Sequence, residues 1–111
     1  MRLLLVLAML ASAAACQRTP ERRQADAMRS DARQRGAAVE NNADAQADRL
    51  EQQASDLQNQ AGQAGGMTGE RLRIRANALN QESKVIRKQG DMQADAMAED
   101  ADARIKASKS R

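Results

Sequence analysis

The sequence predicts an all-α protein built from long alanine-rich helices, and three observations support this. Residues that favour helices dominate the 111-residue chain, and it contains no Phe, Tyr or Trp. After residue 16, only nine positions hold Val, Ile or Leu, so little large apolar surface can be buried in a globular core. Apolar residues recur every seven positions, which is typical of helices that pack side by side. We therefore expect an antiparallel helical hairpin.

The composition also limits the classes of function. With no histidine and a single cysteine, Cys16, the chain cannot by itself form a transition-metal site or a nucleophile–histidine pair. No apolar pocket is apparent that would raise the pKa of a carboxylate for acid–base catalysis. The lack of aromatic residues for base stacking argues against nucleic-acid binding. We expect a non-enzymatic protein with no catalytic residues, cofactor or metal.

The first element is an apolar run that ends at Cys16. Met1 and Arg2 form a charged start, and residues 3–15 are uncharged and end in three alanines. This run is too short to cross a membrane, which takes about 20 apolar residues. A charged start, a short apolar centre and a small-residue end are typical of a secretory signal. Residues 1–15 are therefore predicted to be a helical signal peptide.

The alanines and the cysteine carry a resemblance to a known class of proteins. Ala13-Ala14-Ala15-Cys16 resembles the lipobox of bacterial lipoprotein precursors, although Ala13 stands where leucine is common. The resemblance implies that the signal is removed before Cys16 and that this cysteine carries fatty acyl chains such as palmitate. Two or more such chains give stable membrane attachment.

Residues 16–19 would then form a lipid anchor and a short spacer. In that family an Asp after the cysteine marks the inner membrane, so Gln17 implies the outer membrane, facing the periplasm. The alternative is ordinary cleavage after an A-x-A triplet, which would leave a lone exported thiol at Cys16.

The mature chain is predicted to begin its first helix, residues 20–61, at Thr19-Pro20-Glu21. Thr suits the cap, Pro the first helical position and Glu the positive end of the helix dipole. Gly36 is the expected interruption of this helix.

Four glycines in residues 62–69 predict a loop. Thr68 can then cap a second helix over residues 70–108, in which Gly90 is the expected weak point.

Heptad rows predict the faces of contact. The rows of the first helix are Ala43, Leu50, Leu57 and Ala64, with Ala47, Ala54 and Ala61 between them. The rows of the second helix are Leu72, Leu79 and Ile86, with Ala78, Val85 and Met92 beside them, and Ile74 and Met97 extend this face. Because the double row is wide for one partner, we also expect self-association into a bundle.

Charge alternates along the mature chain in blocks. Residues 18–35 and 70–88 carry net charges of +3 and +4, whereas residues 40–56 and 91–102 carry −4 and −5. Folding at the glycine loop places basic blocks beside acidic ones, with facing residue numbers that sum to 131. The expected pairs are Arg29–Asp102, Asp44–Arg87, Arg49–Glu82 and Asp56–Arg75, and Asp31 opposite Asp100 is a like-charge exception.

Two further features remain open at the level of sequence. QADAM occurs at residues 24–28 and again at residues 93–97, which reflects either composition or an internal duplication. The mature part is generally similar to small alanine-rich helical outer-membrane lipoproteins such as the murein lipoprotein. That protein is joined to peptidoglycan through a C-terminal Lys, whereas this chain ends in Arg111, so the linkage motif is not matched.

These features lead to one expected function and one alternative. The expected function is a lipid-anchored envelope protein that acts as a helical spacer, scaffold or interaction module. Its partners would be the membrane, through acyl chains on Cys16, a second copy of the chain, and an anionic envelope component such as lipid headgroups or lipopolysaccharide phosphate. The alternative is a soluble exported helical protein, prone to disorder, that binds a partner or protects surfaces under stress.

Overall fold

The computed structural model describes residues 19–110, and these form two long helices joined by a single residue. Helix α1 comprises Pro20–Ala64 and helix α2 comprises Gly66–Lys109. The helices pack antiparallel, since Arg29 pairs with Asp102 at one end and Ala61 lies beside Gly69 at the other. The predicted all-α hairpin is confirmed. The predicted signal helix lies outside the described residues.

The start of α1 has the predicted geometry. The Thr19 side-chain oxygen accepts a hydrogen bond from the backbone N–H of Arg22 at 3.3 Å, and Pro20 occupies the first turn. The Thr19 carbonyl accepts the N–H of Arg23 at 3.1 Å. A capping hydroxyl satisfies an N–H that has no partner within the helix, so the helix begins sharply at this point.

The predicted loop over residues 62–69 is wrong, because α1 continues through Gly62 and α2 begins at Gly66. Within residues 19–110, only Gly65 and Gly66 have positive φ angles, of 63° and 59°. The Gly65 N–H donates to the Ala61 carbonyl at 3.1 Å, which closes the last turn of α1. A glycine costs a helix only about 1 kcal/mol relative to alanine, so helix packing retains the others. Thr68 lies within α2 and does not cap it.

Small residues form the line of closest contact between the helices. In α1 the predicted row Ala47, Ala54 and Ala61 is confirmed, with exposures of 0%, 1% and 0%. In α2 the buried row is Gly69, Ala76, Ser83 and Gly90, again at intervals of seven. We call these two rows the seam. Small side chains allow two helix backbones to approach closely, and this close approach forms the core of the hairpin.

The face predicted for α2 is therefore wrong in part. Leu72, Leu79 and Ile86 are half-buried beside the seam, whereas Ala78, Val85 and Met92 are exposed. Ile74 is also exposed, and Met97 is half-buried. Larger side chains do not fit between backbones that are this close, so they pack along the edges of the seam or point away from it.

Gly90 lies in the seam, and Gly36 is buried further along the same contact, so neither is a weak point of its helix. A Cβ atom added to Gly90 would lie 2.5 Å from the Cβ of Ala43, and one added to Gly36 would lie 3.4 Å from the Cβ of Ala94. A Cβ on Gly69 would meet the Ala61 carbonyl oxygen at 2.7 Å. Glycine is thus required at positions 69 and 90, whereas a Cβ at position 36 would make an ordinary contact.

Candidate functional site

The predicted lipidation site, Cys16, lies outside the described residues. Thr19, three positions later, lies at the end of the hairpin where α1 begins and α2 ends. The surface to be considered is therefore this end of the hairpin, which comes directly after Cys16 in the sequence.

At this end, the last turn of α2 packs against the first turns of α1. Lys109 lines one shallow depression with Thr19 and Arg22, and a second one with Gln24 and Met28. Ile105, which is 3% exposed, anchors the end of α2 against α1. The carboxyl end of the described chain thus returns to the side on which Thr19 lies.

The charges at this end are mostly positive. Residues 19–29 and 102–110, which we call the basic end, contain six basic and three acidic side chains. The Arg29 Nε atom lies 3.4 Å from Asp102 Oδ1, which confirms that predicted pair. The remaining basic side chains are largely exposed: Arg22, Arg23, Arg104, Lys106 and Lys109. The basic end is therefore suited to anionic groups.

The densest group of ion pairs lies near the middle of the hairpin, around Arg87. Its guanidinium lies 2.6 Å from Asp48 Oδ1 and 3.8 Å from Asp44 Oδ1, and it donates hydrogen bonds to Glu51. The predicted Asp44–Arg87 pair is confirmed. Three carboxylates on successive turns of α1 thus surround one cation on α2, which favours one alignment of the helices over its neighbours.

Ser83 links this cluster to the seam. It is 1% exposed, and its hydroxyl oxygen lies 2.7 Å from the Asn80 carbonyl and 3.3 Å from Glu51 Oε1. The buried hydroxyl is therefore satisfied, as buried polar groups must be. The hydrophobicity pattern missed Ser83, but the seven-residue spacing of small residues around it could have revealed it.

The electrostatics of the cluster keep it ionised. The hydrogen bond from Arg87 lowers the pKa of Glu51, an effect that desolvation opposes and the Arg87 charge reinforces. The same bond raises the pKa of Arg87. A carboxylate with a lowered pKa stays ionised at neutral pH, so its attraction to Arg87 between the helices persists there.

The other two predicted charge pairs are wrong. Arg49 does not pair with Glu82, and Asp56 accepts a hydrogen bond from Gln52 at 3.3 Å and forms no ion pair with Arg75. Both α1 residues stand two positions after a seam alanine, which turns their side chains by about 200° from the contact. The rule that facing residue numbers sum to 131 predicted the correct register, but it does not take account of the direction in which each side chain points around the helix axis.

The like-charge exception is resolved within each helix. Asp31 pairs with Arg35 at 3.1 Å, and Asp100 pairs with Arg104 at 3.1 Å. Both pairs line one groove between the helices. Each α2 residue of this groove stands 69 positions after one of its α1 residues, which is also the spacing between the two QADAM segments. The residues of the groove are Met28, Asp31, Ala32, Arg35, Met97, Asp100, Ala101 and Arg104. The two QADAM segments are nevertheless offset along the hairpin, because Ala94 lies against Gly36 and Arg29 pairs with Asp102.

Within residues 19–110, neither helix is long and apolar enough to cross a membrane. The same part of the chain holds no group of three carboxylate, Cys or His side chains placed to bind a metal ion.

Comparison with known proteins adds no relative. No protein-family model, no curated protein sequence and no solved structure matches this chain.

Proposed function

We propose that the chain is a lipid-anchored protein of the bacterial envelope, held in the outer membrane by acyl chains on Cys16. In this proposal it acts in the periplasm as a non-enzymatic helical spacer or scaffold. The observation that supports it best is where the described helices begin and end along the chain. An extended rod begins at Thr19, almost directly after the predicted anchor, and returns to the same end at Lys109.

The dimensions of the rod fit a spacer. Helix α1 has 45 residues, which corresponds to about 67 Å at 1.5 Å per residue. An upright rod anchored at Cys16 would hold the turn at Gly65 at about this distance from the bilayer surface.

The charge of the basic end fits a position beside a membrane. Basic side chains near an anionic surface each contribute about 1 kcal/mol, and this contribution falls off within a Debye length. Arg22, Arg23 and Lys106 are exposed where such contacts would form. Lipid headgroups or lipopolysaccharide phosphates are the anionic partners that this end would meet beside the anchor.

The proposal is tested on the chain expressed with its own residues 1–15 in a bacterial host. Detergent phase partitioning should place the chain in the detergent phase, and a Cys16→Ser variant should move to the aqueous phase. Mass spectrometry of the mature amino terminus should show Cys16 as the first residue, with added acyl mass.

Two results would contradict the anchor. A mature chain with a free thiol, or one that keeps residues 1–15, would remove the lipid from the account. An aqueous chain cleaved after an A-x-A triplet would support the alternative of a soluble exported protein.

A further inference from the structure

The side of α2 that faces away from α1 carries a row of uncovered apolar side chains. The large hydrophobic residues exposed within the described chain are all on this helix, with exposures from 52% to 75%. At about 100° of rotation per residue, these residues and three exposed alanines fall within about 20° of one line. This outer stripe consists of Met67, Ile74, Ala78, Val85, Met92, Ala96 and Ala103.

The outer stripe is not needed to form the hairpin. Seam residues such as Ala76 and Ser83 lie on the opposite side of α2. The corresponding outer side of α1 carries no exposed large apolar residue, and its exposed positions include Gln52, Ala38 and Ala45. An aligned row of apolar side chains that spans about 54 Å, on a chain with so few large apolar residues, indicates an interaction surface.

The spacing of the outer stripe is symmetric about Val85. Met67 and Ala103 stand 18 positions on either side of it, Ile74 and Ala96 stand 11, and Ala78 and Met92 stand seven. If two copies of α2 pack antiparallel about a twofold axis at Val85, the two Val85 side chains meet at the axis, and Met67, Ile74 and Met92 each meet an alanine of the second copy. Matching large against small residues lets two helices interdigitate without voids or clashes.

The charges beside the outer stripe follow the same symmetry. The exposed residues beside its first half are mainly basic and those beside its second half are mainly acidic. In the antiparallel arrangement, Arg71 lies near Asp100 of the second copy and Arg73 lies near Asp95 of the second copy, and Glu70 beside Glu99 of the second copy is a like-charge exception. A parallel arrangement would bring like charges together, so the charges select the antiparallel one.

We propose that the outer stripe is a homodimer interface, in which α2 packs antiparallel on α2 of a second copy to form a four-helix assembly. Twofold dimers are the commonest closed assemblies, and their interface uses the same patch on both copies. This inference does not depend on acylation of Cys16, so it can fail or hold separately from the proposed function.

The test uses single cysteines in the full chain carrying Cys16→Ser. On oxidation, Val85→Cys should give a disulfide-linked dimer, because the two thiols meet at the twofold axis. Ile74→Cys alone should not, because the two copies of residue 74 would lie about 33 Å apart along the helices. A mixture of Ile74→Cys and Ala96→Cys should again give the linked dimer.

Two variants complete the design. Ala45→Cys, on the outer side of α1, is the matched control and should remain unlinked. Val85→Asp should convert a dimer to a monomer in sedimentation equilibrium, with unchanged helix content by circular dichroism. Linkage of Ile74→Cys alone as strongly as Val85→Cys would overturn the proposed register. A monomeric parent chain would overturn the dimer, and loss of binding to anionic vesicles in Val85→Asp would then assign the stripe to a lipid surface.

Discussion

Ala54 shows what the seam requires of a single residue. It is 1% exposed and lies between two backbones that the small residues around it hold close together. At such a position the tolerated side chain is limited by volume more than by polarity, which is why Ser83 can occupy the equivalent row of α2.

Replacing Ala54 with leucine should therefore destabilise the hairpin. Overpacking of this kind costs about 1–3 kcal/mol, and here the helices would have to separate to admit the new side chain. Urea denaturation followed by far-UV circular dichroism would measure the effect. The control is Ala45→Leu, which is exposed on the same helix and should change the free energy of unfolding by less than about 0.5 kcal/mol. Equal effects of the two substitutions would contradict the seam.

Glu51 gives the hairpin a defined dependence on pH. Its pKa is lower in the folded chain than in the unfolded chain, because Arg87 donates hydrogen bonds to it. Such a group stabilises the fold above its unfolded pKa, about 4.3, and stops doing so as the pH falls through its lower folded pKa.

Comparing melting curves of the parent and Glu51→Gln across pH would test this coupling. The parent should melt at the higher temperature at neutral pH, and the difference should shrink as the pH falls below about 4. Glu82→Gln removes an exposed carboxylate that makes no ion pair with Arg49, and its curves should follow those of the parent. If the difference in melting temperature between the parent and Glu51→Gln stayed constant with pH, the ionisation of Glu51 beside Arg87 would not contribute to the stability of the hairpin.

At the scale of the helices, the turn depends on two glycines with positive φ, Gly65 and Gly66. Gly65 has a φ of 63° and a ψ of 178°, a conformation that costs other residues about 1–3 kcal/mol. Gly62, three positions earlier, lies inside α1 with open space around its Cα.

The same substitution at Gly65 and at Gly62 should have opposite effects. Gly65→Ala should destabilise the hairpin by about 1–3 kcal/mol, because alanine is strained at this φ and ψ. Gly62→Ala should stabilise it by about 0.5–1 kcal/mol, because glycine is the weaker helix former. Denaturant unfolding of both variants would measure this. Destabilisation by both would indicate a broader loop, as the glycine content suggested.

The helices show which local signals could be read from the sequence. The Thr19-Pro20 start was predictable because capping depends only on neighbouring residues. The turn was placed too broadly, because composition cannot separate a glycine with positive φ, such as Gly65, from a helical one. The α2 face was misplaced because large residues were expected at the contact, where only Gly90 and its small neighbours fit.

At the scale of the whole molecule, alternating charge blocks predicted the antiparallel register. Ala43 faces Gly90 and Gly36 faces Ala94, within two residues of the expected alignment. The individual pairs were predicted less well than the alignment, because each also depends on rotation about the helix axis. Cys16 lies outside the described residues, so its acylation stays a prediction.

In the proposed function, the hairpin is a rod that stands on the membrane at its basic end. Energy transfer to acceptor-labelled lipid headgroups tests this most directly, with a donor fluorophore placed at Lys109 or at Gln63 of the membrane-anchored chain. We expect strong transfer from position 109 and weak transfer from position 63, about 60 Å further out. Equal transfer from the two positions would mean that the hairpin lies flat on the bilayer, and would contradict the spacer.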